Sequence, residues 1–439
     1  MVKKISSQPL VEFNPKLPKL SKNETRVLKL LIEAGRLIAP VYLEQKKAPK
    51  IDRKAIEKTA KTDPAVLSPF TVVEKVDGKL VATPYHLKYA KLLKPVAEKL
   101  EEASRITENK KFGVALKTQA KALLNGTYEE ALAAWLKVEP YTLDISIGPL
   151  HHFDDHLFSG KASYQAWVGV LDTEGTERLN NYKSIIFGSI RKALLPKERI
   201  DTPDHIKSKT IDEVLLSGLI AETKYVGINL PMHADMAQKY GTEATVFNCC
   251  NDLRIKEQII PTFNKIFSPA FKKGFSAEDL RRGYLRNVAL HELAHSFLFY
   301  KNSLKNLEDL FPIIYELSAT LLGHRLAGAL LLKDRITDKQ LESMILTYTC
   351  RSFYLLLRRR VDKVMSNYAL SGTVFINFMI ENGAMKSTDS IVVINFMKMF
   401  VAIHELSVIL ERLLSQGTRK DAEKFIKRYG EIKSSNITF

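Results

Sequence analysis

The chain has 439 residues, of which 45% are hydrophobic and 26% charged, which excludes disorder and indicates a globular protein larger than one ordinary domain. Three cysteines are too few for a disulfide framework, so we expect a reducing, cytoplasmic location. The 66 lysines and arginines exceed the 49 acidic residues, and the net charge of +17 raises nucleic acid or an anionic membrane surface as partners.

The first half of the chain predicts a mixed architecture. Residues 1–20 carry three prolines and predict an extended arm, and residues 21–252 predict a mixed α/β lobe. Within this lobe, two β-rich runs around Asp77-Gly78 predict a hairpin. The other elements that we predict here are a strand over 142–147, a broken helix over 162–195, and strands over 222–230 and 244–250.

The second half, residues 253–439, predicts an all-helical lobe. Its two longest apolar stretches, 311–332 and 391–410, contain charged residues and histidines, so we predict buried or amphipathic helices and no transmembrane segment. The predicted fold class is therefore α+β and predominantly helical, with one lobe that contains a small sheet and one lobe that is all-α.

The segment His291-Glu292-Leu293-Ala294-His295 is the clearest chemical signal. It lies in a predicted helix that starts at Ser276, a candidate N-cap with Asp279 three residues on. The i, i+4 spacing places both imidazoles on one helix face, where they could hold one Zn²⁺, and Glu292 could take a proton from the water on that metal. The alternative is a helix that buries two hydrogen-bonded histidines for packing alone.

A catalytic zinc needs a third protein ligand. Glu316 is our candidate, because it stands one turn inside a largely apolar helix that Pro312 is placed to begin, and an unpaired carboxylate there is costly. Glu308 and Asp309 are rivals, but we expect them to cap the next helix. His324 lies about 12 Å further along the same helix and is expected to be structural.

A second cluster of ligand-type residues is His151-His152-Phe153-Asp154-Asp155-His156. It could be another metal site. An exposed polar loop is the favoured interpretation, because ligand-type residues alone do not fix a coordination geometry.

Several motifs in one order, from about Val76 to Tyr429, resemble the dipeptidyl peptidase III family of zinc peptidases, and most closely its short, nudix-associated branch; the chain has no nudix domain. The motifs that carry the resemblance are Asp77-Gly78-Lys79-Leu80-Val81 with Pro84-Tyr85, Ile147-Gly148-Pro149 with Asp155 and Lys161-Ala162, Gly227-Ile228-Asn229-Leu230-Pro231, Gly241 with Asn248, the zinc helix, Glu316 with Ala319, and Glu381-Asn382-Gly383-Ala384.

The resemblance implies a two-lobed metallopeptidase around a cleft with one zinc ion per chain. It implies that His291, His295 and Glu316 bind the zinc and that Glu292 is the catalytic base. It also implies that 227–231 is a strand edge to which an extended peptide adds through main-chain hydrogen bonds. The residues that we expect to bind the peptide are Gly227, Ile228, Asn229 and Tyr368.

The sequence departs from the family pattern at several polar positions. Thr320 stands where a second carboxylate orients a zinc histidine, and such a change can weaken metal binding or activity. Phe153 replaces a tyrosine, Met232 an asparagine and Tyr368 a histidine, and Ser296 follows His295 where the short branch has glycine.

These features support three hypotheses in order. The first is a zinc-dependent peptide hydrolase with altered substrate choice. The second is a catalytically weak or inactive zinc protein that binds a peptide or another ligand. The third, a nucleic-acid-binding protein, is not favoured, because no recognised module accompanies the charge, which would instead bias a peptidase toward acidic peptides or an anionic surface.

Overall fold

The computed structural model describes residues 9–49, 51–151, 160–195, 198–200, 205–232, 234–362, 367–388 and 391–431. Their fold is predominantly helical α+β, which confirms the predicted class. The chain forms two compact units that interleave along the sequence. The first comprises Met1–Thr173, Lys209–Tyr225 and Phe247–Cys249, and the second comprises Glu174–Ser208, Val226–Val246 and Cys250–Phe439. The three consecutive segments predicted above stay a prediction.

The helices are α1 (Lys22–Arg36), α2 (Ile38–Lys46), α3 (Arg53–Thr59), α4 (Tyr85–Lys88), α5 (Ala90–Ile106), α6 (Lys110–Asn125), α7 (Tyr128–Leu136), α8 (Thr173–Ala193), α9 (Leu219–Thr223), α10 (Ala234–Tyr240), α11 (Asn248–Arg254), α12 (Ile260–Ile266), α13 (Pro269–Lys272), α14 (Ala277–His295), α15 (Ser303–Leu307), α16 (Phe311–Leu331), α17 (Asp338–Asp362), α18 (Asn367–Glu381), α19 (Phe396–Gln416) and α20 (Arg419–Tyr429). The strands are β1 (Leu10–Glu12), β2 (Thr71–Val76), β3 (Lys79–Pro84), β4 (Leu143–His151), β5 (Ser163–Leu171), β6 (Ile206–Gly218), β7 (Gly227–Leu230), β8 (Thr242–Phe247), β9 (Met385–Thr388) and β10 (Ile391–Ile394).

The first unit is built around antiparallel strands. β4 pairs with β5, β5 with β6, and β1 with β6. Helices α1, α2, α5 and α6 contribute to one hydrophobic core with these strands, and Val27, Leu93 and Val168 are among its fully buried members. The predicted hairpin is confirmed as β2 and β3, and Asp77 and Gly78 at its turn have φ of 49° and 80°.

Several predicted boundaries were wrong. The helix predicted from residue 162 begins instead as β5, and α8 follows from Thr173. The strand predicted over 222–230 is reduced to β7, because α9 occupies its start, and the strand predicted over 244–250 ends at Phe247 where α11 begins. The stretch 391–410 begins as β10 before α19.

The second unit is mostly helical, but it also contains strands. β7 pairs antiparallel with β8, and β9 pairs with β10 in the half that was expected to be all-helical. Among the described residues, none of the helices is both long enough and apolar enough to cross a bilayer.

Helix α14 packs against α16, α17 and β7 in the second unit. Gly323 on α16 allows a close approach to α14. A β-carbon at this glycine would lie 3.1 Å from the backbone nitrogen of His291, so a larger residue would push the helices apart. This packing brings α16, with Glu316, beside the histidines of α14.

Candidate metal centre

The helix that carries the HExxH segment begins where the sequence predicts. Ser276 is the N-cap of α14, its side chain accepts from the Asp279 backbone N–H, and the Asp279 carboxylate accepts from the Ser276 backbone N–H. This capping box satisfies two main-chain donors that the helix would otherwise leave without partners. The helix therefore has a fixed start, and the histidines lie on its last turns.

The Nε2 atoms of His291 and His295 lie close to each other and to the Glu316 carboxylate, each to a different oxygen of it. The two histidine Nε2 atoms are 3.1 Å apart. The Glu316 carboxylate oxygens lie 3.4 Å from Nε2 of His291 and 3.8 Å from Nε2 of His295. Zinc–ligand bonds of about 2.1 Å in a tetrahedron separate neighbouring ligand atoms by about 3.4 Å, so these side chains fit a Zn²⁺ ion.

Charge within the cluster changes the protonation of His291. Burial lowers the pKa of His291, but its hydrogen bond with Glu316 and the charges of Glu292 and Glu316 outweigh that effect, and the net result is a raised pKa. Two carboxylates beside two imidazoles therefore form a site that favours positive charge, and a divalent cation would supply that charge.

Thr320 orients one of the candidate ligands. Its Oγ1 lies 3.0 Å from His291 Nδ1 and donates to the backbone carbonyl of Glu316 at 3.2 Å. Because the hydroxyl proton is directed to that carbonyl, the oxygen can accept from an Nδ1–H group, which leaves the Nε2 lone pair of His291 available for a metal. A neutral hydroxyl thus stands where the resemblance implies a carboxylate.

Glu292 is buried beside the ligand cluster, and its exposed fraction is 5%. Burial raises the pKa of this carboxyl group to about 8, and the charge of Glu316 adds to that rise, whereas His291 lowers it. His291, Glu292 and His295 together have ligand-type atoms within 4.8 Å of one another. A carboxylate so close to the metal position can accept a proton there, and a bound cation would lower its pKa.

Strand β7 lies against Glu292. A β-carbon built on Gly227 would lie 2.6 Å from the Glu292 Oε1 atom, so any side chain there would displace the carboxylate. Ile228 is buried and paired in register with Thr245. The Asn229 side chain is also buried, and its amide donates to the Glu292 carbonyl at 2.9 Å and to Ser296 Oγ at 2.8 Å. Peptide binding by these residues stays a prediction.

The remaining predicted site residues are scattered. Tyr368 lies in the first turn of α18 and is 37% exposed. Met232 is half-buried just after β7. Phe153 lies outside the described residues, as does most of the 151–156 cluster, of which only the backbone of His151 is described.

The rival ligands are placed elsewhere. Asp309 and Glu308 lie 3.0 and 3.9 Å from Arg419 Nε. His324 is fully buried, its Nδ1 lies 2.8 Å from the Thr320 carbonyl oxygen, and burial lowers its pKa to about 4. His324 is therefore neutral near pH 7, which fits the structural role that we predicted for it.

Two residues near the site were not predicted from the sequence. The ring centroids of Tyr315 and His295 are 4.7 Å apart. In the sequence, only the position of Tyr315 next to Glu316 indicates that it lies near the site. Thr242 donates to Ser296 Oγ at 2.6 Å, and nothing in the local sequence of β8 indicates this contact.

These features define a class: a candidate HExxH zinc site, completed by a glutamate from a second helix, in a predominantly helical α+β protein of two units. Comparison with solved structures gives the particular fold. Dipeptidyl peptidase III from Corallococcus sp. strain EGB aligns with a TM-score of 0.84 and 20% identity, covering 97% of this chain and 91% of that one. Dipeptidyl peptidase III from Caldithrix abyssi aligns with a TM-score of 0.80 and 19% identity, covering 95% and 91%. The chain therefore has the dipeptidyl peptidase III fold, as its motifs predicted.

Sequence comparison points to the same branch. Nudix hydrolase 3 from Arabidopsis thaliana is 23% identical over 372 residues, which are 81% of this chain and 46% of that protein. The chain thus spans about half the length of this curated relative, whose name fits the nudix-associated branch. No protein-family model matches the chain.

Proposed function

We propose that the protein is a zinc-dependent hydrolase of peptides with altered substrate choice. The observation that carries the proposal is the grouping of His291, His295 and Glu316, with Glu292 beside the histidines. The two histidine Nε2 atoms are 3.1 Å apart, and each lies near a carboxylate oxygen of Glu316, at 3.4 and 3.8 Å. The fold of the solved peptidases supports the same function. A cytoplasmic protein with one zinc ion per chain is our expectation.

The metal would be held by the two Nε2 atoms and the Glu316 carboxylate, and when bound it polarises a carbonyl and makes water a better acid. Glu292 then acts as the base and takes the proton of the attacking water. It passes that proton to the leaving amine, as general acid–base catalysis requires. The buried surroundings of Glu292 limit competing water around its carboxylate.

Strand β7 is where we propose that the peptide binds. Among the described strands, β7 is the last of its sheet, with β8 paired along one edge. A peptide could therefore add along the other edge through main-chain hydrogen bonds. Because Gly227 contacts the Glu292 carboxylate, a carbonyl bound at the start of β7 would lie near both the base and the metal.

The decisive experiment combines metal analysis with digestion of a peptide library. We expect about one zinc per chain in the wild type and in Glu292→Gln, with peptide hydrolysis at least about 10²-fold slower in the variant. Glu316→Gln should lose zinc, and Asp309→Asn, which affects only an exposed ion pair with Arg419, is the matched control. A wild type that holds stoichiometric zinc and cleaves no peptide would refute the proposal.

One observation favours the second hypothesis, a weak or inactive zinc protein that binds peptides. The hydroxyl of Thr320 carries no charge to raise the basicity of His291, unlike a carboxylate. Peptide binding that is equal in the wild type and Glu292→Gln, with no turnover in either, would support this alternative.

A further inference from the structure

The end of α14 is held from the side by strand β7. Ser296, which follows the helix, donates its backbone N–H to the Leu293 carbonyl at 3.2 Å, a tight turn typical of helix ends. The Glu292 carbonyl, one turn from the end, accepts instead from the Asn229 side-chain amide at 2.9 Å. The backbone carbonyl of Glu292 thus has a hydrogen-bond donor on strand β7, outside its own helix.

Ser296 extends this contact into a buried network. Its hydroxyl accepts from Asn229 Nδ2 at 2.8 Å and from Thr242 Oγ1 at 2.6 Å, and both Ser296 and Thr242 are fully buried. The two hydrogens of the Asn229 amide are both used, one on Glu292 and one on Ser296. The Nδ2 group of Asn229 therefore has no hydrogen left for a substrate.

The same strand contacts Glu292 a second time. Side chains alternate along a strand, so residues 227 and 229 of β7 face the same side, toward α14. Gly227 lies against the side-chain carboxylate of Glu292, and Asn229 donates to the backbone carbonyl of Glu292. A shift of β7 would therefore move both the side chain and the backbone of Glu292.

We propose that Asn229 and Ser296 are positioning residues that fix the carboxylate of Glu292, with Thr242 holding Ser296 in place. The inference rests on the proposed function, because it concerns the base of that reaction. It assigns the side chain of Asn229 to Glu292 and Ser296, so a peptide that binds at this residue would be held by its main chain. The strand that a peptide would join is then also the support of the catalytic base.

Steady-state kinetics separates the two roles of Asn229. A positioning role lowers kcat and leaves KM unchanged, whereas a substrate-binding role raises KM. We expect kcat to fall about 10²-fold in Asn229→Asp, which cannot donate to Glu292, and about tenfold in Ser296→Ala, because small misplacements of a catalytic group have effects of this size. Zinc content should stay at the wild-type level in both.

Thr242→Val and Thr245→Val form a matched pair on β8. Both hydroxyls are buried, but Thr242 donates to Ser296, while Thr245 Oγ1 has no hydrogen-bond partner among the described residues. We expect kcat of Thr242→Val to lie between those of the wild type and Ser296→Ala, and Thr245→Val to match the wild type. Equal kcat in Ser296→Ala and Thr245→Val, or a rise in KM alone, would overturn the proposal.

Hydrogen exchange tests the network without requiring activity. Ser296→Ala should speed amide exchange in β7 and in the last turn of α14 together, and Thr245→Val should speed neither. Faster exchange in only one of the two segments would count against the coupling. A wild type that binds zinc but cleaves no peptide would end the proposed function, while the exchange result would still decide whether β7 holds the end of α14.

Discussion

At the scale of single residues, the chemistry of the site depends on how His291 is oriented. Thr320 accepts from one nitrogen of this ring and directs the other toward Glu316. A hydroxyl can fix the tautomer as well as a carboxylate can, but it contributes no negative charge to the ligand. We therefore expect a metal site that is correctly shaped and binds zinc less tightly than a site with a carboxylate partner.

Thr320→Val removes this hydrogen bond with almost no change in side-chain shape. Loss of such a partner weakens metal binding about 10- to 100-fold, and we expect that loss in a competition titration with a chelating dye. Thr320→Ser should restore affinity. The control is Thr349→Val. Thr349 is also buried in a helix, but its hydroxyl donates to the backbone carbonyl of Ile345, one turn earlier in the same helix. An unchanged zinc affinity in Thr320→Val would show that His291 needs no partner at Nδ1.

The candidate metal ligands can be proposed from the sequence because their positions follow helix geometry. His291 and His295 are one turn apart on α14, and Glu316 is a buried acid one turn inside an apolar helix. Thr242 could not be found in this way. It reaches the site through pairing of β8 with β7, and its partner Ser296 is 54 residues away, so no local pattern connects them.

At the scale of secondary-structure elements, the capping box at Ser276 stabilises the start of α14, the helix that carries the histidines. Ser276→Ala removes the capping box, and we expect the free energy of unfolding to fall by about 1 kcal/mol in a denaturant titration. Ser276→Thr keeps a hydroxyl at the N-cap, which can accept from the Asp279 backbone N–H and donate to the Asp279 carboxylate, and should remain near the wild type. A loss as large in Ser276→Thr as in Ser276→Ala would contradict the capping explanation.

The errors in predicting elements have a common physical cause. The residues of β5 are buried on both faces of the sheet except the last, so their apolar run lacks the alternation of a half-exposed strand and fits a helix equally well. β6 was missed for the opposite reason. Its charged Lys209 is buried and pairs with Asp144 of β4 at 2.7 Å, and tertiary pairing of this kind is invisible in a single sequence.

At the scale of the whole molecule, the site draws on two separate stretches of one unit. The proposed metal ligands and Glu292 come from Cys250–Phe439, and Gly227 and Asn229 come from Val226–Val246. Between these stretches the chain contributes Phe247–Cys249 to the other unit. The base and its support therefore meet only when the second unit is folded, and a helical fragment that begins after residue 250 would lack β7.

Zinc binding should consequently protect the second unit selectively. A ligand that binds only the folded state stabilises it by about 2.7 kcal/mol at a free concentration 100 times its dissociation constant. Because all three proposed metal ligands lie in the second unit, we expect zinc to slow hydrogen exchange in α14 and α16 by up to about 100-fold relative to chelator-treated protein. Exchange in α5 and α6 of the first unit is the internal control and should not change. Equal slowing in both units would contradict a local effect, and no slowing in α14 or α16 would contradict zinc binding by His291, His295 and Glu316.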